Sequence, residues 1–254
     1  DDIIHVAGSV DPARDIEIIN LELIFSDIEQ AEKRVERARK ETRTKKEAQI
    51  EVDALEKIIP VLNEGLPARS VALTEDERNS VKGLGLLSLK PVIFAANLSE
   101  DELATGNAYV ENVRAIAAKE GAQVVLISAQ VEAELVELSE EDREEFLSSL
   151  GVSEGGLKSL IRATYNLLGL QTYFTTGPKE TRAWTIIKGM KGPQAAAVIH
   201  TDFERGYIRA ETVSYKDLVD NGSMAAAKAK GLVRSEGKEY VVQEGDVMHF
   251  LFNV

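Results

Sequence analysis

Cysteine is absent from this 254-residue chain. That excludes disulfides, thiolate zinc sites and cysteine nucleophiles, and it suits a reducing compartment. No apolar run approaches the ~20 residues that cross a bilayer, and no signal peptide opens the sequence. These absences point to the cytoplasm and away from membranes. Histidine is scarce: His5, His200 and His249 are the three. None stands in a His-x-x-x-His pattern, and no carboxylate cluster has the spacing of a dedicated metal site. His200 lies beside Thr201 and Asp202, but no serine nucleophile motif accompanies it, so a structural hydrogen bond is expected there. An initiating Met is missing too. The chain opens Asp1-Asp2-Ile3-Ile4, which reads as the continuation of something longer.

What is present is a chain 44% hydrophobic and 29% charged, enough for a sizeable core and long enough for two domains or one with insertions. Its net charge of -13 favours solubility and argues against binding nucleic acid through the whole surface. One stretch departs from that average. Lys33 to Lys46 holds eight basic residues (Lys33, Arg34, Arg37, Arg39, Lys40, Arg43, Lys45, Lys46) against Glu36 and Glu41, a local +6 that leaves -19 on the remainder. The acidic run Glu140 to Glu145 reads as a solvated helix face.

Asp11-Pro12 is a helix start, a capping carboxylate followed by a ring already set near helical φ. Apolar positions at Leu21, Ile24, Ile28, Ala31, Val35 and Ala38 then alternate by threes and fours. After the polar stretch Arg39 to Glu47 the seam resumes at Ala48, Val52, Leu55, Ile59 and Leu62, until Gly65 and Pro67. This predicts an antiparallel helical hairpin of coiled-coil type, with the basic stretch at its tip. Thr74 to Glu77 is a capping box for a shorter helix. Pro91 to Asn97 and Gln123 to Ala129 read as buried parallel strands, with a helix from about Ala108 to Lys119 between them and another from Ser139 to near Gly151. After about Leu170 short strands are expected at Thr172 to Thr176, Ala183 to Ile187, Tyr207 to Val213, Tyr240 to Val242 and Val247 to Phe252. Short helices are expected near Tyr215 to Val219 and Ala225 to Lys230. The order is helical hairpin, α/β, then a compact α+β module.

Two loops could carry chemistry. Asn97-Leu98-Ser99-Glu100 leaves the C-terminal end of a strand, the edge where open α/β sheets bind ligands. Read alone, an Asn and a carboxylate three residues apart suit either a purine edge or a solvated loop with a helix cap. Ser128-Ala129 ends the next strand. It suits either a loop closing over a base or a small residue packed at a strand end. Together, on successive strands with a helix between, they are more specific.

Asn97-x-x-Glu100 followed by Ser128-Ala129 resembles the base-binding loops of the YchF, Obg-like ATPase family of P-loop proteins. Ordinary GTPases use Asn-Lys-x-Asp, whose Asp accepts two hydrogen bonds from guanine. Adenine presents an acceptor there, and the family's Asn-x-x-Glu, one methylene longer, breaks the paired geometry. By resemblance, Asn97, the backbone of Leu98, Glu100, Ser128 and Ala129 are the nucleotide-binding residues, and ATP is preferred. The resemblance extends along the chain. Arg182 to Ile186, Pro193 to Ala196, His200 to Gly206 with Ile208 to Glu211, and Tyr240 to Val254 are similar to the family's TGS domain. Asp11-Pro12 and Ile19 to Leu23 fit the entry to its helical insertion. The implied fold is α/β: part of a G-domain-like P-loop sheet, a coiled-coil hairpin insertion and an α+β, β-grasp-like TGS domain. The implied division is 1–20 and 86–170 for the nucleotide-binding domain, 21–85 for the hairpin and 171–254 for TGS.

The family's phosphate loop, Gly-x-x-x-x-Gly-Lys-Ser/Thr, does not occur in these residues; neither Gly83-x-Gly85 nor Gly151 to Gly156 matches it. The hydrolytic residue and the magnesium ligands are therefore expected before Asp1, and this stretch alone is expected not to hydrolyse ATP. In the full-length protein the resemblance implies ATP with Mg2+, a cytoplasmic nucleotide switch, and a ribosome or ribosomal RNA partner, with nothing demanding more than a monomer. The projecting basic tip suits phosphate-backbone contact through Arg37, Arg39, Lys40, Arg43, Lys45 and Lys46, or is a solvated helical surface. No aromatic residue lies in it to stack on bases. The rival to the ATPase is a non-enzymatic adaptor that binds RNA or the ribosome without nucleotide.

Overall fold

The computed structural model describes residues 8–45, 47–177 and 180–253. The chain divides into two compact units, Asp1–Leu160 and Ile161–Val254.

The first unit opens with a helical hairpin, α1 (Pro12–Glu41) and α2 (Ala48–Asn63). Asp11 caps α1 as its spelling predicts, accepting from the Arg14 amide at 3.2 Å with Pro12 in the first turn. Ile24, Ala31, Val35 and Ala38 pack against Val52, Leu55, Ile58 and Leu62 in one core. α1 is unbroken through residues 20 and 21, where a domain boundary was expected. A short α3 (Glu75–Val81) carries both halves of the Thr74–Glu77 capping box, and its Val81 joins the same core.

One member of the seam is not apolar. Asp27 has no exposed surface. Its carboxylate accepts from the amides of Leu87 and Ser88, each at 2.7 Å, and from the Ser88 hydroxyl at 2.6 Å. Ser88 Oγ in turn accepts from the Ala68 amide at 3.1 Å. A buried carboxylate is tolerated only when its lone pairs are filled in this way. The bonds fix the base of the hairpin to the segment that returns toward the sheet.

The sheet of this unit pairs β1 (Ile93–Asn97) and β2 (Gln123–Ile127) in parallel, from Ile93 opposite Gln123 to Asn97 opposite Ile127. α4 (Ala108–Glu120) crosses between them, capped by Asn107 and stopped by left-handed Gly121. The strands are where the apolar runs predict them but are not deeply buried. Of their ten residues Val125 alone is buried, because in a two-stranded sheet each strand is an edge. β2 also ends two residues earlier than expected. Ser128 turns its hydroxyl to the Val131 amide and starts α5 (Ala129–Val136). Arg143, in α6 (Glu140–Ser149), caps the far end of α5 by donating to the carbonyls of Leu135 and Val136. Glu140 to Glu145 are exposed, as expected. α7 (Gly156–Leu167) begins hard against the sheet. A Cβ on Gly156 would lie 2.8 Å from Ile127 Cα, so glycine is required there.

The second unit is a five-stranded mixed sheet in the order β4-β3-β7-β5-β6. Its strands are β3 (Leu170–Thr176), β4 (Thr181–Ile187), β5 (Tyr207–Ser214), β6 (Arg234–Glu236) and β7 (Asp246–Phe252). α8 (Gly192–Ala197) and α9 (Thr201–Arg205) contribute Ala195, Ala196 and Phe203 to a core around Tyr173, Ile186 and Phe250. α10 (Tyr215–Asn221) and α11 (Met224–Ala229) cover Val213 and Val247. Tyr173 is fully buried and donates to the Ala195 carbonyl at 2.9 Å, and burial drives its phenol pKa well above the ordinary value. Tyr207 is pushed up to about 12 by burial and by the Glu236 charge. The expected strand Tyr240 to Val242 is instead a single bridge, Lys191 to Val241. Gly192 and Met190 hold it by backbone bonds at 2.9 and 3.0 Å, with no run long enough for a ladder. β6, α5 and α7 to α9 were not foreseen in the sequence.

Replacing Asp27 with Ala should destabilise the first unit by about 3–5 kcal/mol, since it strands two buried amides and a hydroxyl. Asp27→Asn, which keeps one accepting oxygen, should cost about 1–3 kcal/mol. Urea unfolding of the chain reads both.

Candidate functional site

The two loops singled out in the sequence leave the sheet side by side, because Asn97 and Ile127 are register partners at the C-terminal ends of β1 and β2. The Leu98 amide donates to the Ile127 carbonyl at 2.8 Å. Asn97 Oδ1 accepts from the Ala129 amide at 3.0 Å. Asn97 therefore staples one loop to the other and keeps its Nδ2 donors free of any partner among the described residues. Ser128 is buried as the cap of α5, while Ala129 is exposed. Ser128 caps α5 with its hydroxyl, and with its amide committed to Ile127 the Leu98 backbone has its carbonyl left to offer a ligand.

Glu100 is exposed and begins a 3-10 turn, Glu100–Glu102. Sequence reasoning missed the group behind it. Glu102 Oε2 accepts from Ser99 Oγ at 3.1 Å and from Asn107 Nδ2 at 3.0 Å, while Asn107 Oδ1 accepts from the Val110 amide at 3.0 Å. The loop is thus tied to the cap of α4. The signal was legible only in part: Asn107 immediately before a helical pattern marks a cap, but nothing in spacing says that Glu102 reaches it. Beside the loops lies an apolar groove of about 920 Å3, lined by Ile19, Leu23, Phe94 and Val113 and reaching Asn97 and Asn107 at its rim.

At the hairpin tip the structure sorts the basic residues. Arg34 is absorbed into the hairpin, donating to Glu51 at 2.7 Å and Glu41 at 2.9 Å. Arg39 reaches across to Glu56 at 2.9 Å, and Lys33 pairs with Glu29. Arg37, Lys40, Arg43 and Lys45 are exposed and make no ion pair among the described residues. Lys46 lies outside the described residues, as does His5. Hydrogen bonds from Arg34 hold the Glu41 carboxyl below its ordinary value, and the two carboxylates push the guanidinium pKa further up. His200 Nδ1 accepts from the Asp202 amide at 3.2 Å, capping α9 as a structural residue. Among the described residues no group of three or more His, Asp or Glu could hold a metal ion.

Known proteins share this arrangement along the whole chain. The ribosome-binding ATPase YchF of Bacillus subtilis is 53% identical over 257 residues, covering 100% of this chain and 70% of that protein. Its Escherichia coli O157:H7 counterpart, of the same name, is 48% identical over 255 residues with the same coverage. The chain belongs to the YchF family. A family model described as YchF-GTPase_C, protein of unknown function (DUF933), matches residues 170–253, close to the second unit. The solved structure of the Schizosaccharomyces pombe YchF GTPase superimposes with a TM-score of 0.84 at 38% identity, over 99% of this chain and 69% of that one. A GTP-binding protein from Pyrococcus horikoshii shares the fold, with a TM-score of 0.59 at 18% identity over 96% of this chain and 72% of that one. As a YchF family member the chain is α/β and part of a nucleotide-binding P-loop family.

The lowered Glu41 value sets a pH dependence for the hairpin. A carboxylate whose folded pKa lies below its unfolded 4.5 adds stability above that value and loses it as pH falls toward the folded one. Thermal melts taken from about pH 6 down to about pH 3.5 should show that acid loss, and Arg34→Gln should flatten it.

Proposed function

We propose that this chain supplies the base-recognition loops, helical arm and TGS domain of a ribosome-associated switch that binds and hydrolyses ATP in preference to GTP when full length. The nucleotide-binding domain is assigned to residues 1–20 and 86–170, the arm to 21–85 and the TGS domain to 171–254. The observation that carries the reading is the Asn97 staple. With Oδ1 held by the Ala129 amide, Asn97 faces a ligand with donors only, which suits a purine ring nitrogen that accepts. That nitrogen is common to adenine and guanine, so the choice between them falls to Leu98 and Glu100. Leu98 brings an apolar side chain where guanine readers place a Lys. Glu100 is too long for the paired acceptance that guanine's ring donors need. The wrong base would leave polar groups unpaired.

No magnesium ligand is assigned among the described residues, where no group of three or more His, Asp or Glu is placed to hold a metal ion. What they do is hold the base, orient it against the ends of β1 and β2, and keep the loops tied to α4.

Two relatives carry the name ribosome-binding ATPase, and the free cations at the arm tip fit that partner. Arg37, Lys40, Arg43 and Lys45 are exposed and form no ion pair among the described residues, in an otherwise acidic chain, a footprint for RNA phosphates. Arg39 and Lys46 belong to the same tip, Arg39 with its charge already shared with Glu56. The protein is assigned to the cytoplasm as a monomer. Among the described residues no helix is long and apolar enough to cross a membrane. The same cations support a second reading, an RNA-binding adaptor with no need of nucleotide, and ATP affinity decides between the two.

Leu98→Lys combined with Glu100→Asp, in the protein at its relatives' full length, should move the ATP-to-GTP affinity ratio toward GTP by about tenfold or more. A ratio unchanged by the pair removes these loops from base selection. Replacing Arg37, Lys40, Arg43 and Lys45 together with Ala should lower the slope of log affinity for ribosomal RNA against log salt by about 3; an unaltered slope rules the tip out.

A further inference from the structure

The loop that carries Asn97 and Glu100 and the base of the arm meet opposite ends of one helix. At its N-terminal end α4 is bound to the loop through Asn107, Glu102 and Ser99. At its C-terminal end Glu120 enters the arm. Glu120 Oε1 accepts from Asn20 of α1 at 3.1 Å, and Oε2 pairs with Arg69, just beyond α2. Arg69 is joined to the Asp27 pin, its amide donating to the Ser88 carbonyl at 3.1 Å and its guanidinium to the same oxygen at 3.3 Å. The Arg69 side chain is 11% exposed and that of Glu120 18%. Thirteen helical residues make a rod of about 20 Å.

The Arg69 end holds an unsatisfied group. Arg69 Nε is buried and has no acceptor among the described residues, although Nε and Nη2 form one side of the guanidinium fork and Nη2 already holds Glu120. Two arrangements therefore compete for Glu120 Oε1. In the one seen, Asn20 holds it and Nε goes without. In the other, Oε1 turns to Nε, the carboxylate becomes bidentate on Arg69, and Asn20 with α1 is let go. A buried donor without a partner is costly, so the bidentate arrangement has a gain to set against the loss of the Asn20 bond.

We propose that Glu120 is a positioning residue that couples the base loop to the arm through α4, exchanging Asn20 for Arg69 Nε as the loop end of the helix moves. Occupancy of the base loop then biases the arm, and by reciprocity whatever engages the arm biases the loop. The proposal rests on the reading of that loop as the base site, but its test needs no nucleotide. A failure of base recognition, read by the ATP-to-GTP ratio, is therefore distinguishable from a failure of the coupling.

The experiment is amide hydrogen exchange on this chain, with Glu120→Gln as the variant. Glutamine still accepts from Asn20 but loses the charge that holds Arg69. The expected result is faster exchange about 20 Å away, at Leu98, Gly106 and Val110, by about fivefold or more. All three amides are hydrogen-bonded in the base loop or the cap of α4. Reciprocally, Glu102→Ala should raise exchange by a similar factor at Arg69, Leu87 and Ser88. Ala117→Gly is the control, because it loosens α4 and leaves Glu120 in place. If Glu120→Gln speeds exchange only in the last turn of α4, or if Ala117→Gly at a matched melting temperature reproduces the remote effect, the proposal is overturned. Should Glu120→Gln fail to fold, Arg69→Lys carries the same readout, since it removes the fork and keeps the charge.

Discussion

A single carboxylate sets the direction of the arm. Hydrophobic packing is tolerant of sliding, and two helices joined only by Ile24, Leu55 and Leu62 could be repacked at modest cost. Asp27 removes that freedom. It demands two amides and a hydroxyl at fixed positions, and only the Leu87–Ser88 turn supplies them. Because Ser88 also receives the Ala68 amide and Arg69, the carboxylate ties α1 to the segments that follow α2 and precede β1.

The division of charge follows a similar logic. An arm with so many cations would repel itself if all were free. The fold answers by placing Glu41, Glu51 and Glu56 where they neutralise Arg34 and Arg39 along the shaft. Arg37, Lys40, Arg43 and Lys45 are left unshared toward the end. Along the shaft the charges are shared, and toward the tip they face solvent. Counting basic residues in the sequence cannot separate the two groups, since Arg34 meets Glu51 only after the chain has turned around.

What could be read in advance was whatever depends on neighbours in sequence. The hairpin seam and the Thr74 capping box follow from spacing of three and four, the Asp11 cap from a carboxylate beside Pro12, and the parallel strand pair from two apolar runs. The loops at Asn97 and Ser128 could be placed at strand ends because each follows an apolar run. What escaped was polar and long-range. Asp27 falls on the seam but breaks its apolar code. The bond from Ala129 to Asn97 spans 32 residues and gives Asn97 a structural duty that spacing does not reveal. α5 hid behind Ser128, whose hydroxyl reads equally well as a strand end or a cap. The bridge at Val241 resembled a strand because Tyr, Val and Val satisfy strand propensity even where no ladder is available.

The strand order of the second unit has a consequence for how it is made. β7 is the last of the five strands in the sequence, yet it lies in the middle of the sheet, between β3 and β5. A nascent chain that has produced everything up to residue 245 holds two separate pieces, the β3–β4 hairpin and the β5–β6 pair, with no hydrogen-bonding strand to join them. Met248 and Phe250, which belong to the core around Tyr173, are missing at that stage as well. Closure is thus a late, non-local event of the kind that slows folding. A break just ahead of Asp246 would not trim the sheet at its rim but would divide it, leaving β3–β4 and β5–β6 without the strand between them.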